Sequence, residues 1–205
     1  MADVDLAAWI ASLRDAGRVR PFRRRERLFM EGFPRGSVLV VTKGVVRIEV
    51  TTADGAEVTL ALRRAGDLIG NHSVLTGGSV AAGVIAVDDG EGVIVPGDRY
   101  LDALSRSPRF MMAELRLLVT MLHDAEARLV DIATIDIDAR VRRLLVRLSR
   151  EQTPPVRLLI TQSDLASMVG ASRASVGPVL DQLREQDAIT TSRGEIVVRD
   201  PALLT

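Results

Sequence analysis

The chain contains no cysteine. Disulfides, thiolate metal sites and cysteine-ligated iron–sulfur clusters are therefore excluded. Histidine is nearly as scarce, with 2 in 205 residues, His72 and His123. A jelly-roll metalloenzyme of the cupin type needs two or three histidines and a carboxylate converging on one ion, and this composition cannot supply them. No apolar run approaches the roughly 20 residues that span a bilayer, and the N-terminal "MADVDLAAWIASL" carries acids where a secretory signal is basic. Both observations point to a cytoplasmic chain with no membrane partner. Net charge is missing as well: 27 basic and 27 acidic residues give +0, so no global field marks a polyanion binder. Nucleophile elbow, Walker loop and dinucleotide fingerprint do not occur. The run "DDGEG" at 88–92 reads as the turn of a hairpin. No enzymatic activity, metal or cofactor is expected.

What is present is an ordinary globular composition, 47% hydrophobic and 26% charged. Charge is unevenly placed, at about +3 from Ala139 onward and about −3 before it, which favours a nucleic-acid partner for the C-terminal end. Leu6, Trp9, Ile10 and Leu13 fall at helical spacing and predict a short surface helix packing one face. From about residue 28 to 97 the pattern has period two, in short runs punctuated by glycine. Asp54-Gly55 between "VVRIEV" and "EVTLAL" is a strong hairpin signal, and Asp89-Gly90 predicts a second. Short antiparallel strands of this kind imply a sandwich or jelly roll.

The period then lengthens. Met111, Leu115, Leu118, Leu122, Ala125, Leu129 and Ile132 recur at alternating spacings of four and three, and neither Pro nor Gly interrupts the chain between Pro108 and Pro154. Such a seam either packs on the chain's own sandwich or pairs with a second copy in a parallel coiled coil. The regularity favours the homodimer. A second helix over roughly 136–150 carries Ile137, Val141, Leu144, Leu145 and Leu148 on one stripe, and Pro154-Pro155 ends it in a bend.

In "TQSDLASMVGASRASVGPVL" the small and apolar positions match a helix-turn-helix. With Gln162 as its first position, Ala166 falls where the helices cross closely and Gly170 where the turn needs positive φ. Leu165, Val169, Val176 and Val179 fall where the pair buries its own core. Ser172 caps the second helix and leaves Arg173 in its first turn, where a recognition helix meets base edges. "AITTSRGEIVVRD" reads as a small hairpin turning at Arg193-Gly194, a wing. The readings left open are a DNA-binding regulator, a haem- or other small-ligand-dependent sensor of the same kind, and a dimeric interaction module that never touches DNA.

The order of sandwich, long helix, short helix and winged helix resembles the cyclic AMP receptor protein and fumarate–nitrate reductase regulator superfamily. The likeness covers nearly the whole chain. Its specific points are the glycine rhythm Gly32, Gly44, Gly55, Gly66, the run "GDLIGN" at 66–71 and "ITQSDLASMVGASRASVGPVLDQL". It implies an α+β architecture: a jelly-roll domain over 1–106, a dimerisation helix over 107–134 and a winged helix-turn-helix over 135–205. It further implies double-stranded DNA with inverted half-sites as partner, and RNA polymerase as a further candidate.

The departures from that family bear on the effector. Its cyclic-nucleotide binders carry Glu after the Gly of this run and Arg about ten residues later, where this chain has Asn71 and Ala81. Without the arginine a cyclic phosphate loses its charge-assisted partner, leaving Gly70 and the hydroxyls of Ser73, Thr76 and Ser79. The polar pair that meets adenine is replaced by Ala125 and Glu126. Cyclic AMP is therefore not the expected effector, and the degenerate pocket (Gly70, Asn71, His72, Ser73, Ser79, Ala81, Ala125, Glu126) either holds an uncharged ligand or is filled by side chains. A haem-binding relative places an axial histidine near the position of His72. On the DNA side the resemblance assigns base reading to Arg173, Ala174, Ser175 and Pro178. Arg173 alone keeps the two-pronged geometry that suits guanine. Thr161, Gln162, Ser163, Ser172 and Arg193 are placed to meet phosphates. Pro178, about six residues into its helix, predicts a kink or an irregular first turn.

Overall fold

The computed structural model describes residues 2–29, 36–53, 55–79, 82–150 and 152–204. Gly32, Asp54 and Ala81 lie outside the described residues. Two compact units divide the chain, Met1–His123 and Asp124–Thr205, so the division falls inside the long helix and not at its ends.

The first unit opens with α1 (Ala2–Ala16) and continues through β1 (Arg18–Phe22), β2 (Arg27–Phe29), β3 (Ser37–Lys43), β4 (Val46–Thr51), β5 (Glu57–Arg63) and β6 (Leu68–Ile69). After α2 (Asn71–Thr76) come β7 (Gly83–Ala86), β8 (Gly90–Pro96), α3 (Gly97–Arg106) and the start of α4 (Pro108–Thr134). The strands form two antiparallel four-stranded sheets, in the orders β1-β8-β3-β6 and β2-β7-β4-β5. This is the expected jelly roll.

Strand β3, "SVLVVTK", is buried on both faces, and its period of two sorts its side chains between two cores. Leu39 and Val41 join Phe22, Val46, Ile69, Val84 and Ala86 in one. Val38 and Val40 join Trp9, Leu13, Tyr100, Leu104 and Ala113 in the other, under the helices. The N-terminal helix is therefore more than a surface element. Trp9 and Leu13 are fully buried, and the Trp9 ring centroid lies 5.6 Å from Tyr100 and 5.2 Å from Phe110.

The β4–β5 hairpin forms as expected, with Val46 opposite Arg63, Thr51 opposite Glu57 and Gly55 at φ 83. Asp89-Gly90, in contrast, does not turn a hairpin. Strand β7 belongs to one sheet and β8 to the other, so this segment crosses between sheets, and "DDGEG" is no hairpin tip. Its carboxylates tie the crossover down: Asp88 Oδ1 accepts from Val45 N at 2.6 Å and Asp89 Oδ1 from Arg24 N at 2.8 Å. Gly90 is required by close approach, because a β-carbon there would stand 2.3 Å from the Lys43 carbonyl oxygen.

The second unit holds the end of α4, then α5 (Ile137–Ser149), β9 (Val156–Leu158), α6 (Gln162–Val169), α7 (Arg173–Glu185), β10 (Ile189–Ser192), β11 (Glu195–Val198) and a final 3-10 turn, Pro201–Leu204. Asp136 caps α5 by accepting from Ala139 N at 2.8 Å, and Val141, Leu144 and Leu145 are buried along its stripe. The segment after the two prolines does more than bend. It supplies β9, which pairs with β11 and makes the wing a three-stranded sheet in the order β10-β11-β9.

Candidate functional site

The helix-turn-helix is assembled by local chemistry. Thr161 caps α6 through a reciprocal capping box. Its hydroxyl accepts from Asp164 N at 3.0 Å and donates to Asp164 Oδ2 at 2.7 Å, while its own N–H donates to the same oxygen at 2.8 Å. The Thr161 donors are thus committed inside the protein. The backbone N–H groups of Gln162 and Ser163, in the first turn of α6, are left facing outward. Gly170 ends α6 in the left-handed region at φ 65, ψ 45, and Ala171 N returns to Ala166 O at 3.0 Å. Leu165, Ala166, Val169, Val176 and Val179 are all buried, as the spacing requires.

Ser172 caps α7, its Oγ accepting from Ser175 N at 3.1 Å and lying 2.8 Å from Ser175 Oγ. Both serines, Arg173, Ala174 and Pro178 are exposed. Arg173 makes no hydrogen bond or ion pair with any described residue. The helix runs through Pro178 as one element. In its first turn the Ser172 carbonyl accepts from both Ser175 N and Val176 N at 3.1 Å, and Pro178 has no N–H to offer the Ala174 carbonyl. On the wing, Gly194 turns at φ 81 and leaves exposed Arg193 without a partner among the described residues. The neighbouring acid is neutralised: Arg157 Nε donates to Glu195 Oε1 at 2.6 Å, and this bond holds the Glu195 carboxyl below its ordinary range.

Along α4 the seam positions Met111, Leu115, Leu122, Ala125, Leu129 and Ile132 are exposed, Leu129 to 67%, and Leu118 is half-buried.

In the first unit a cavity of about 160 Å³ is lined by Phe29, Ile48, Leu68, Ile69 and Val84, by Gly70, Asn71, His72, Ser73, Thr76 and Ser79, and by Arg63, Ala82 and Met121. Five of the expected pocket residues, Gly70, Asn71, His72, Ser73 and Ser79, therefore meet there. Ala125 and Glu126 do not: they are exposed residues of the second unit, and α4 reaches the cavity with Met121. Gly70 adopts φ 88, and a β-carbon on it would stand 2.7 Å from the Ser37 carbonyl oxygen, so no larger residue fits.

Behind the cavity lies a constellation that no sequence pattern announces. Glu114, on α4, is 2% exposed. Its Oε1 accepts from Asn71 Nδ2 at 2.7 Å and its Oε2 from Trp9 Nε1 at 3.0 Å. The buried Tyr100 hydroxyl lies against this carboxylate without a hydrogen bond of good geometry. Burial first, and the Glu114 charge second, push the phenol far above its ordinary pKa. One carboxylate thus joins α1, α2 and α4.

Residues 19–107 match the cyclic nucleotide-binding domain family, and residues 139–205 match the Crp-like helix-turn-helix domain. Over 177 residues the chain is 32% identical to the cyclic AMP receptor protein of Thermus thermophilus, covering 86% of this chain and 82% of that one. It is 27% identical over 195 residues to the global nitrogen regulator of a Nostoc species, covering 91% and 87%. The solved structure of the c-di-GMP responsive global regulator CLP of Xanthomonas campestris shares the fold at a TM-score of 0.75 and 23% identity, over 95% of this chain and 99% of that one. With both domain families in the same order along one chain, and a relative matched at this identity over most of its length, this protein belongs to the cyclic AMP receptor protein and fumarate–nitrate reductase regulator superfamily of DNA-binding transcription regulators.

Proposed function

We propose that the protein acts as a homodimer that reads an inverted-repeat operator, with Arg173 of each subunit set against a guanine. The observation that carries this reading is the state of Arg173: an exposed guanidinium without an intramolecular partner among the described residues, in the first turn of a helix capped by Ser172. A free, two-pronged donor at that place suits guanine O6 and N7 in the major groove. Ala174 and Pro178 offer only apolar surface, suited to a thymine methyl, and Ser175 adds a hydroxyl. The backbone N–H groups of Gln162 and Ser163, the Ser172 hydroxyl and Arg193 supply phosphate contacts. Dimerisation is supported by the exposed apolar seam of α4, since water-facing Met111, Leu115, Leu122 and Leu129 are costly on a lone helix. An α4 pair would place two recognition helices on half-sites about one helical turn apart.

The relatives include receptors named for cyclic AMP, but we infer that this chain is not controlled by it. The cavity of about 160 Å³ lies below the roughly 300 Å³ at which drug-sized ligand pockets begin. The one arginine that lines it among the described residues, Arg63, donates to the Leu62 carbonyl at 3.1 Å. The same size argues against a porphyrin, so haem on His72 is not part of this reading.

Selection of bound sites from random duplex DNA by the purified full-length protein tests the proposal, repeated with and without cyclic AMP. An inverted repeat with one invariant guanine per half-site, enriched equally in both series, is the expected result. Binding without sequence preference, or by a monomer, would contradict it, and no binding to any duplex at low salt would favour a dimeric interaction module.

A further inference from the structure

Half of the ten arginines beyond Ala139 lie on α5 or at its C-terminal cap: Arg140, Arg142, Arg143, Arg147 and Arg150. None of them is among the residues placed against DNA above. With Arg128 of α4 they line two depressions inside the second unit. A small one is bordered by Arg128, Arg140, Arg143 and Arg147, and a groove of about 610 Å³ by Arg142, Arg143, Arg147 and Arg150. Asp131, Arg143 and Arg147 border both, so the two adjoin. Among the described residues three aspartates face these six arginines. Asp131 Oδ1 accepts from Arg143 Nη1 at 2.5 Å, Asp138 Oδ2 accepts from Arg142 Nε at 2.8 Å, and Asp124 lines the groove. The lining thus keeps an excess of three positive charges in a chain whose net charge is +0. Arg147 stands where the depressions meet. It is half-buried and makes no hydrogen bond or ion pair with any described residue, and burial pulls its guanidinium below the ordinary pKa while Asp124 and Asp131 oppose that shift.

We propose that the groove between α4 and α5 binds a phosphomonoester, its phosphate held by Arg147 with Arg143 and Arg150, and its organic body lying along Ala139, Val146 and Leu204. Guanidinium forks match phosphate oxygens two at a time, and a dianion suits an excess of three charges better than a monocarboxylate does. A cation drawn partly out of water without a hydrogen-bond partner is costly, and an entering anion offsets that cost. The volume of about 610 Å³ lies in the range of small-molecule sites, and the lining that is not charged is apolar, from Ala127, Ala139, Val146 and Leu204. Position on the helix keeps the groove accessible. Asp124, Ala127 and Asp131 fall on the side of α4 opposite Leu122, Ala125 and Leu129, so pairing through the seam would leave them uncovered. The site is separate from the jelly-roll cavity, and its occupancy does not depend on the operator reading.

The test is calorimetry on the full-length protein at about pH 7.5, where the ester is a dianion, with ionic strength held constant by chloride so that screening is common to all arms. The probes are phenyl phosphate, inorganic phosphate and benzoate. Phenyl phosphate is expected to bind most tightly, about tenfold ahead of benzoate, since its second charge adds a charge-assisted bond. Arg147→Met keeps the hydrocarbon stem of the side chain and should weaken phenyl phosphate about tenfold. Asp124→Asn removes an opposing carboxylate and should tighten it about threefold, a gain that a damaged fold would not give. Benzoate within twofold of phenyl phosphate, inorganic phosphate as tight as the ester, unchanged affinity in Arg147→Met, or a loss in Asp124→Asn would each overturn the proposal. So would displacement of phenyl phosphate by duplex DNA, which would assign these arginines to the nucleic-acid backbone. Failure of site selection on random duplexes would overturn the operator reading and leave this site as it stands.

Discussion

Ile132 Cδ1, near the end of α4, lies 3.0 Å from the point where a β-carbon on Gly170 would stand. The last seam position of the long helix therefore rests on the turn of the helix-turn-helix, and Arg140 Nη1 bonds the adjacent Val169 carbonyl at 2.9 Å. Gly170 is doubly constrained, by this close approach and by its φ of 65. Gly170→Ala should cost about 1 to 2 kcal/mol from the left-handed backbone alone, with more if Ile132 fails to move. Urea unfolding of the two proteins measures it, and Ile132→Val should recover part of the loss in the double variant. No recovery would mean that backbone conformation, not the packing of Ile132, sets the cost.

The two free guanidiniums of the DNA-facing side should separate by assay. Arg173→Ala is expected to cost about 1 to 3 kcal/mol on the preferred operator and to relax preference at one guanine per half-site. Arg193→Ala should weaken all duplexes alike and reduce the salt slope by about 0.9 for each phosphate that the wing no longer reaches. Titrations on specific and scrambled duplexes at several salt concentrations make the comparison. If Arg173→Ala behaves like Arg193→Ala, then position 173 touches phosphate and not a base edge.

Glu114 makes a sharper stability prediction. Glu114→Ala strands the Trp9 indole N–H and the Asn71 amide together, and each buried donor left unmet costs about 1 to 3 kcal/mol. Glu114→Gln keeps one acceptor oxygen while turning an amide NH₂ toward the other donor, so its loss should be about half as large. Chemical denaturation with an unchanged m-value would place the effect in the folded state. Equal losses for the two variants would show that both oxygens must accept at once.

What the sequence reveals of this fold depends on the range of the interactions involved. The helix-turn-helix is legible because its determinants lie within one short segment: Ala166 and Gly170 set the crossing, Ser172 the cap, and the four apolar positions the buried face. The hairpin at Gly55 is legible for the same reason. Asp89-Gly90 has equally good turn chemistry, but turn chemistry does not say which strand lies alongside, and here the chain changes sheets. Glu114 is invisible because a lone acid inside a heptad pattern reads as a solvent-facing residue. Its partners stand 43 and 105 positions away, and only the tertiary fold brings them to it. Met121 takes the place of Ala125 as the wall of the cavity on similar grounds, since a regular seam gives no mark of where a neighbouring sheet ends. Helix α2 escapes a reading of the sequence because six residues are too few to show a period, whereas α3 is open to one, since Tyr100 and Leu104 carry the i, i+4 spacing that marks a helix.

The single tyrosine of the chain gives a direct optical report on the Glu114 constellation. Tyr100 is fully buried against that carboxylate, and both burial and charge oppose formation of the phenolate. In the native protein the ultraviolet signal of tyrosinate should therefore be absent as the pH passes 10, the ordinary value for a phenol. In urea it should appear with that ordinary midpoint. The sign of the stability effect follows: the native state holds this proton more tightly than the unfolded chain, so the contribution is complete below about pH 10 and is lost progressively above it. Glu114→Gln removes the charge but not the burial, so the native midpoint should fall toward about 10 without reaching it. A native titration at the ordinary midpoint in the unaltered protein would show that Tyr100 is open to solvent, and with it the second core beneath α1.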